Sequence, residues 1–229
     1  MVAEDSPVIA IDGPSSSGKG VITHKLAAHL GFHILDSGAL YRLVGLAAKK
    51  QGINFDDEAA LTDQARTLDV RFEPTRDPEE PLRILLEGAD VTLELRTDEA
   101  GVDASRVAPL PGVRKGIGEL QRSFKQPPGL VADGRDMGTV VFIDAAIKIY
   151  LTASVQARAE RRYNQLKDKD ISVSLHDLFQ SIQARDERDM NRKVAPLRPA
   201  EDAYVIDSTE LDINQVFAQV LSIVNEKLG

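Results

Sequence analysis

The stretch IAIDGPSSSGKGV, residues 9–21, decides the fold class of this chain of 229 residues. An apolar run ends at Asp12, a turn rich in Gly and Ser follows, and residues 13–19 match Gly-x-x-x-x-Gly-Lys. In a phosphate-binding loop, backbone N–H groups and the N-terminus of the next helix hold phosphate oxygens, and the lysine reaches the same phosphates. The usual pattern continues with Ser or Thr, whose hydroxyl binds magnesium, but here the residue is Gly20.

Short apolar runs alternate with helical segments along most of the chain. The runs read as five buried strands, and segments with helical spacing follow most of them. This alternation predicts a parallel, doubly wound α/β sheet. For the helix over residues 37–52, the sequence predicts Ser37 as N-cap and Gly52 as the terminating residue. The five predicted strands cover residues 7–12, 32–36, 129–134, 146–153 and 203–208.

The pattern changes between about residues 56 and 95. LDVRFEP (68–74), LRILLEG (82–88) and ADVTLEL (89–95) read as short strands, with a Pro-rich acidic turn over residues 74–81. These features predict a small antiparallel insert, over about residues 66–100, within one α/β domain that spans residues 1–229.

Composition excludes several classes of function. The chain has no cysteine, and its four scattered histidines lack the spacing of zinc ligands. A net charge of −8 argues against a nucleic-acid partner, and no apolar run is long enough to cross a membrane. The short acidic start does not resemble a signal peptide, so we expect a cytoplasmic protein. Binding of a small phosphorylated ligand is compatible with this net charge, since such a ligand needs only a local cluster of Arg and Lys.

A second polar loop, DGRDMG (133–138), follows the predicted strand that ends at Asp133. Open α/β sheets bind ligands at the carboxyl ends of their strands, and a strand-ending carboxylate there can hold magnesium through water. An ordinary strand-ending turn is the alternative.

The predicted helix over residues 174–192 has an apolar stripe that turns charged. Continuing the spacing of Leu178 and Ile182 places Arg185, Asp189 and Arg192 on the same stripe. Charges are costly to bury unless they are paired, so the stripe predicts a polar cleft that holds an anion, and an exposed helix end is the alternative. Arginine suits bidentate recognition of phosphate, and several segments supply it, which indicates two phosphorylated ligands. The arginines concerned are Arg42, Arg114, Arg135, Arg158, Arg161, Arg162, Arg185, Arg188 and Arg192.

Five segments in order resemble bacterial cytidylate kinases, a family of P-loop nucleoside monophosphate kinases. They are IAIDGPSSSGKG (9–20), LDSGALYR (35–42), VADGRDMGTVVF (131–142), RDERDMNR (185–192) and PLRPAEDAYVIDST (196–209). The resemblance implies a P-loop kinase-like α/β fold. Its parts would be a five-stranded parallel sheet with flanking helices, a small antiparallel β insert in the monophosphate-binding region and a helical lid over about residues 158–175. It also implies an enzyme that uses ATP with Mg²⁺ to phosphorylate CMP and dCMP. We expect a monomer.

The resemblance also implies roles for individual residues. Gly13, Ser17, Gly18, Lys19 and Gly20 would hold the phosphates of ATP, and Arg158 and Arg162 would belong to the lid. Ser37, Arg42 and Arg135 would hold the phosphate of CMP, with Tyr41 lining that pocket. Ser105, Arg114 and Asp136 would read cytosine, and Arg185 and Asp189 would contact the ribose. Lys19, Arg135, Arg162 and Arg192 would act on the transferred group, and Asp133 would hold Mg²⁺ through water.

The chain departs from the family pattern at two loop positions and leaves alternatives open. Ser16 stands where Gly is frequent, and Val21 stands where Thr is frequent. Without that Thr hydroxyl, Mg²⁺ would depend on water, the phosphates and Asp133. The alternatives are a kinase for UMP or AMP and a nucleotide-binding protein without turnover. A guanine-reading Asn-Lys-x-Asp segment is absent from the sequence, which argues against a GTPase.

Overall fold

A computed structural model describes residues 6–75, 82–168 and 171–228. Most of the acidic turn expected over residues 74–81, the first five residues and residues 169–170 of the expected lid lie outside the described residues. Strands are β1 (Val8–Asp12), β2 (His33–Asp36), β3 (Val70–Pro74), β4 (Leu82–Leu86), β5 (Ala89–Asp90), β6 (Leu130–Gly134), β7 (Ile147–Thr152) and β8 (Tyr204–Asp207). Helices are α1 (Lys19–Leu30), α2 (Ser37–Gln51), α3 (Glu58–Arg66), α4 (Thr92–Leu95), α5 (Asp98–Val107), α6 (Pro111–Ser123), α7 (Val155–Lys167), α8 (Leu175–Met190) and α9 (Ile213–Leu228).

The larger sheet has five strands in the order β2-β6-β1-β7-β8, and β1 pairs in parallel with β7, as does β7 with β8. Every residue of β1 and of β6 is buried, as expected for central strands covered on both faces. The predicted α/β class and the five-stranded parallel sheet are therefore confirmed.

A smaller antiparallel sheet has the order β3-β4-β5, which confirms the predicted insert. The predicted third strand over residues 89–95 is wrong beyond Asp90, since Thr92–Leu95 forms the short helix α4. The Asp90 carboxylate accepts hydrogen bonds from both the N–H and the hydroxyl of Thr92, and this local turn bends the chain out of the sheet. The Thr92 hydroxyl in turn accepts the N–H of Ile84.

Two helix starts differ from the sequence expectations. The predicted N-cap of α2, Ser37, is wrong: Asp36 is the N-cap, and its carboxylate accepts the N–H of Ala39 at 2.9 Å. Helix α3 was not predicted from the sequence; Asp57 caps it by accepting the N–H of Ala60. Ser174 caps α8, since its hydroxyl accepts the N–H of Asp177.

The chain forms two compact units. Residues His33–Leu130 belong to the first, and Pro7–Phe32 together with Val131–Gly229 belong to the second. The first therefore contains the small sheet and α2 to α6, and the second contains the phosphate-loop segment, α1 and α7 to α9. Among the described residues, no helix combines the length and apolar character that crossing a membrane would need.

Candidate active site

The phosphate loop lies in the second unit, between β1 and α1. It needs glycine at its first position, since a Cβ on Gly13 would lie 2.0 Å from the carbonyl oxygen of Leu151. Gly18 takes a left-handed conformation with φ of 93° and precedes α1 without a side-chain cap on that helix. The first N–H groups of α1 thus face the loop in the arrangement that favours an anion.

Lys19 folds back onto the loop. Its Nζ donates to the carbonyl oxygen of Pro14 at 2.7 Å and contacts the Ser17 hydroxyl at 3.5 Å, and the residue is only 6% exposed. Ser16 has φ of 58°, in the left-handed region that a non-glycine residue rarely adopts. That conformation gives a physical reason why related loops often have Gly at this position.

Arg158 is buried in the second unit and bonded on several sides. Its guanidinium pairs with Asp186 of α8, and it donates from Nε to the Ala153 carbonyl and from Nη1 to the Ser15 carbonyl of the phosphate loop. Asp186 was not identified from the sequence, although it lies next to Arg185. The expected contact of Arg158 with ATP stays a prediction.

The charged stripe of α8 meets the loop that follows β6. Arg135 donates from Nε to the carboxylate of Asp189 at 2.9 Å, and both side chains are largely buried. Burial raises the pKa of Asp189, but the positive charges of Arg135, Arg192 and Arg185 outweigh burial and lower this pKa below its usual value. The charged stripe is therefore a half-buried cluster in which arginines surround an ionised carboxylate. The alternative interpretation, an exposed helix end, is not what the structure shows.

Asp133 and Asp136 belong to the same loop and are both buried, at 8% and 2% exposed. Asp133 is the second-last residue of β6, and Asp136 immediately precedes a short π-helical turn, Met137–Val141. Among the described residues, no group of three or more His, Asp or Glu is arranged to hold a metal ion. A magnesium ion that takes most of its ligands from phosphates and water needs only one or two carboxylates, so a single buried carboxylate at this strand end fits the expected role of Asp133.

Five predicted substrate-binding residues belong to the first unit. The hydroxyl of Ser37 accepts a hydrogen bond from Nε2 of Gln121 at 2.8 Å, and both residues are buried. The guanidinium of Arg114 lies 5.8 Å from the ring centre of Tyr41, at the outer range of a cation–π contact. Arg42 donates to the carbonyl of Leu95, and Ser105 donates to that of Gly101. Gln121 was not identified from the sequence, because it lies within an amphipathic helix without a motif.

Arg161 and Arg162, adjacent on α7, make different contacts. Arg161 bonds the hydroxyl and carbonyl of Ser208, just after β8, whereas Arg162 donates to the Gln165 side chain on its own helix at 3.0 Å. Arg161 therefore ties α7 to the end of β8. The expected role of Arg162 at the transferred phosphoryl group stays a prediction.

A parallel sheet with a glycine-rich loop between its first strand and first helix defines a P-loop fold of the nucleotide-kinase type. A family model described as Cytidylate kinase matches residues 9–226. The chain is 57% identical to a cytidylate kinase of Pseudomonas fluorescens over 95% of this chain and 94% of that protein. It is 52% identical to a cytidylate kinase of Shewanella amazonensis over 100% of this chain and 98% of that protein. The chain belongs to the cytidylate kinase family.

A solved structure, that of TT1252 from Thermus thermophilus, has the same fold. It aligns with a TM-score of 0.50 and 16% identity over 98% of both chains. At this identity the likeness supports the fold and carries no information on substrates.

Proposed function

We propose that this chain transfers the γ-phosphoryl group of ATP to CMP and dCMP. A phosphate oxygen of the monophosphate attacks the γ-phosphorus in line, the bond to the β–γ bridging oxygen breaks, and ADP leaves. The observation that carries this proposal is the family match over residues 9–226, which includes every residue to which we assign a role.

The second unit supplies groups suited to the triphosphate. Gly13, Ser17, Gly18, Lys19 and Gly20 would hold its phosphates through backbone N–H groups and one ammonium. Lys19 would exchange its contact with the Pro14 carbonyl for phosphate oxygens. Arg135, Arg162 and Arg192 would stabilise the charge that develops on the transferred group. Phosphoryl transfer needs positioning and positive charge rather than a side-chain nucleophile, which agrees with this set of residues.

Asp133 would hold magnesium through water, and the ion would supply neutralising charge to the phosphate oxygens. Residues of about 158–175 would act as a lid, with Arg158 at its base. Closure would exclude water and so limit wasteful hydrolysis of ATP.

The monophosphate would be recognised by residues assigned to its three parts. Ser37, Arg42 and Arg135 would hold its phosphate, beside Tyr41. Arg185 and Asp189 would contact the sugar. Ser105, Arg114 and Asp136 would read the base, since the exocyclic amino group of cytosine is a donor for which a carboxylate is the natural acceptor. Uracil presents a carbonyl at the same position, which a carboxylate repels.

A coupled assay of ADP release tests the proposal with Mg-ATP and, in turn, CMP, dCMP, UMP and AMP. We expect CMP and dCMP to give the highest kcat/KM. Higher kcat/KM with UMP or AMP would assign the chain to another monophosphate, and ATP binding without ADP release would leave a nucleotide-binding protein without turnover.

A further inference from the structure

The carboxylate of Asp12 bonds to a loop that is far away in the sequence. Its two oxygens accept the N–H groups of Met137 and Gly138, each at 2.8 Å, and Asp12 is 5% exposed. Asp12 is the last residue of β1 and directly precedes Gly13, the first residue of the phosphate loop. Both partners belong to the second compact unit.

The two N–H groups are the first donors of the π-helical turn Met137–Val141. Donors at a helix start have no partner within the helix, and the residue just before the helix usually accepts them through its side chain. That residue is Asp136, a type of residue that is well suited to capping. Its side chain nevertheless makes no capping hydrogen bond, and its backbone carbonyl accepts the N–H groups of Val140 and Val141.

We propose that Asp12 is the long-range cap of this turn and, through it, a positioning residue that keeps the base-reading carboxylate of Asp136 from turning back to cap the turn. If Asp136 capped the turn itself, its oxygens would point back at the backbone of residues 137 and 138. The cap supplied by Asp12 removes that competition. This inference rests on the proposed function of Asp136 as the base-reading residue.

Close packing around Gly138 supports the same assignment. A Cβ added there would lie 3.1 Å from side-chain carbons of Lys148 and 3.5 Å from an oxygen of Asp12. The turn therefore packs against both the Lys148 side chain and the Asp12 carboxylate.

The variant Asp12→Asn tests the proposal. An asparagine offers one oxygen and one NH₂ group, so one of the two N–H groups loses its acceptor and faces another donor. We expect amide hydrogen exchange of Met137 and Gly138, followed by NMR, to accelerate by about 10-fold or more. We also expect the ratio of kcat/KM for CMP to that for UMP to fall by about 10-fold or more, because Asp136 becomes the nearest replacement cap.

Asp207→Asn is the matched control. Asp207 also ends a strand, β8, and its carboxylate accepts the N–H of Thr209 at 2.9 Å, but it makes no contact with the turn among the bonds described for it. We expect unchanged activity, CMP:UMP ratio and exchange at residues 137 and 138 in this variant.

The outcomes separate the inference from the proposed function. Unchanged exchange at Met137 and Gly138 in Asp12→Asn overturns the capping role, whatever the activity. Faster exchange with an unchanged CMP:UMP ratio overturns the positioning role. A wild-type enzyme that does not prefer CMP contradicts the proposed function instead, and amide exchange then still decides whether Asp12 caps the turn.

Discussion

The guanidinium of Arg158 on α7 and the carboxylate of Asp186 on α8 form a buried ion pair, at 3% and 7% side-chain exposure. The same guanidinium also donates to the Ser15 carbonyl in the phosphate loop. One side chain thus joins two helices to the loop within the second unit. This pair gives Arg158 a structural role in addition to the ATP contact that its position in the family pattern predicts.

The first prediction concerns that pair. Removing one partner leaves an uncompensated buried charge, so Arg158→Met should lower the free energy of unfolding by about 3–5 kcal/mol. Urea denaturation measures this loss. The double variant Arg158→Met, Asp186→Leu should recover most of it, since no buried charge then remains.

Arg66→Met is the control for the pair. Arg66 forms an exposed pair with Asp63 at 3.5 Å, and its loss should cost less than about 1 kcal/mol. If Arg158→Met lowers the free energy of unfolding by as little as Arg66→Met does, the buried pair contributes little to stability.

The second prediction separates two glycines of the phosphate loop. Gly13→Ala places a methyl group against the Leu151 carbonyl and should destabilise the protein by about 3 kcal/mol or more. Among the described residues, apart from its chain neighbours and the backbone of its own helix, nothing lies within 4 Å of a Cβ added to Gly20, so Gly20→Ala should leave stability equal or raise it by up to about 1 kcal/mol. If Gly20 faces the phosphates of ATP, the methyl group should still raise KM for ATP several-fold. An unchanged KM would remove Gly20 from the ATP site.

A third prediction tests the Gln121–Ser37 hydrogen bond in the first unit. Gln121→Leu keeps a similar volume but leaves the buried Ser37 hydroxyl without its donor, at a cost of about 1–3 kcal/mol. Because Ser37 is proposed to hold the phosphate of CMP, KM for CMP should rise while KM for ATP stays unchanged. Gln126→Leu, which removes an exposed side chain that bonds the Ser123 carbonyl, should change neither KM. Loss of stability with an unchanged KM for CMP would argue against Ser37 as a ligand.

The fourth prediction concerns base recognition. Asp136→Asn should lower kcat/KM for CMP by about 10²-fold or more, since it replaces a charged acceptor of the exocyclic amino group by one neutral oxygen and an NH₂ donor. The assay is ADP release with CMP and with UMP. A ratio of CMP to UMP activity equal to that of the wild type would exclude Asp136 as the base reader.

The fifth prediction follows from the titration of Asp12. The pKa of Asp12 is raised to about 6, mainly because the carboxyl group is buried. Hydrogen bonds from the N–H groups of Gly138 and Met137 lower this pKa in part. The negative charge of Asp136 raises the pKa and the positive charge of Lys19 lowers it, and both effects are smaller. A raised pKa in the folded state means that the protonated form is favoured there. Its stabilising contribution is full below pH 4 and is lost as pH rises through 6.

Measurements of the free energy of unfolding across pH test this expected loss of stability with rising pH. The unfolding free energy of the wild type, relative to that of Asp12→Asn, should fall by about 3 kcal/mol between pH 4 and pH 7. Groups that do not interact with Asp12 cancel in this difference. A difference that does not change with pH would show that Asp12 titrates near its ordinary value.

The local pattern of the sequence predicted most of the secondary structure. Buried strands such as β1 and β6 are short apolar runs, and the end of α2 at Gly52 follows from a single residue. The errors came from competition between neighbouring polar groups. Asp36 caps α2 although Ser37 is also a good capping residue, and the side chain of Asp90 turns a segment with strand-like composition into α4.

Sequence alone determined the family, the order of the five strands of the larger sheet along the chain and the position of the phosphate loop, because these depend on residues close together in the chain. Only the tertiary structure decided which distant groups meet. The bonds from Asp12 to residues 137 and 138, from Arg158 to Asp186 and from Gln121 to Ser37 span 28 to 126 positions. No local spacing encodes such pairs, since they form only when packing removes both partners from water and each needs a partner for its buried polar group.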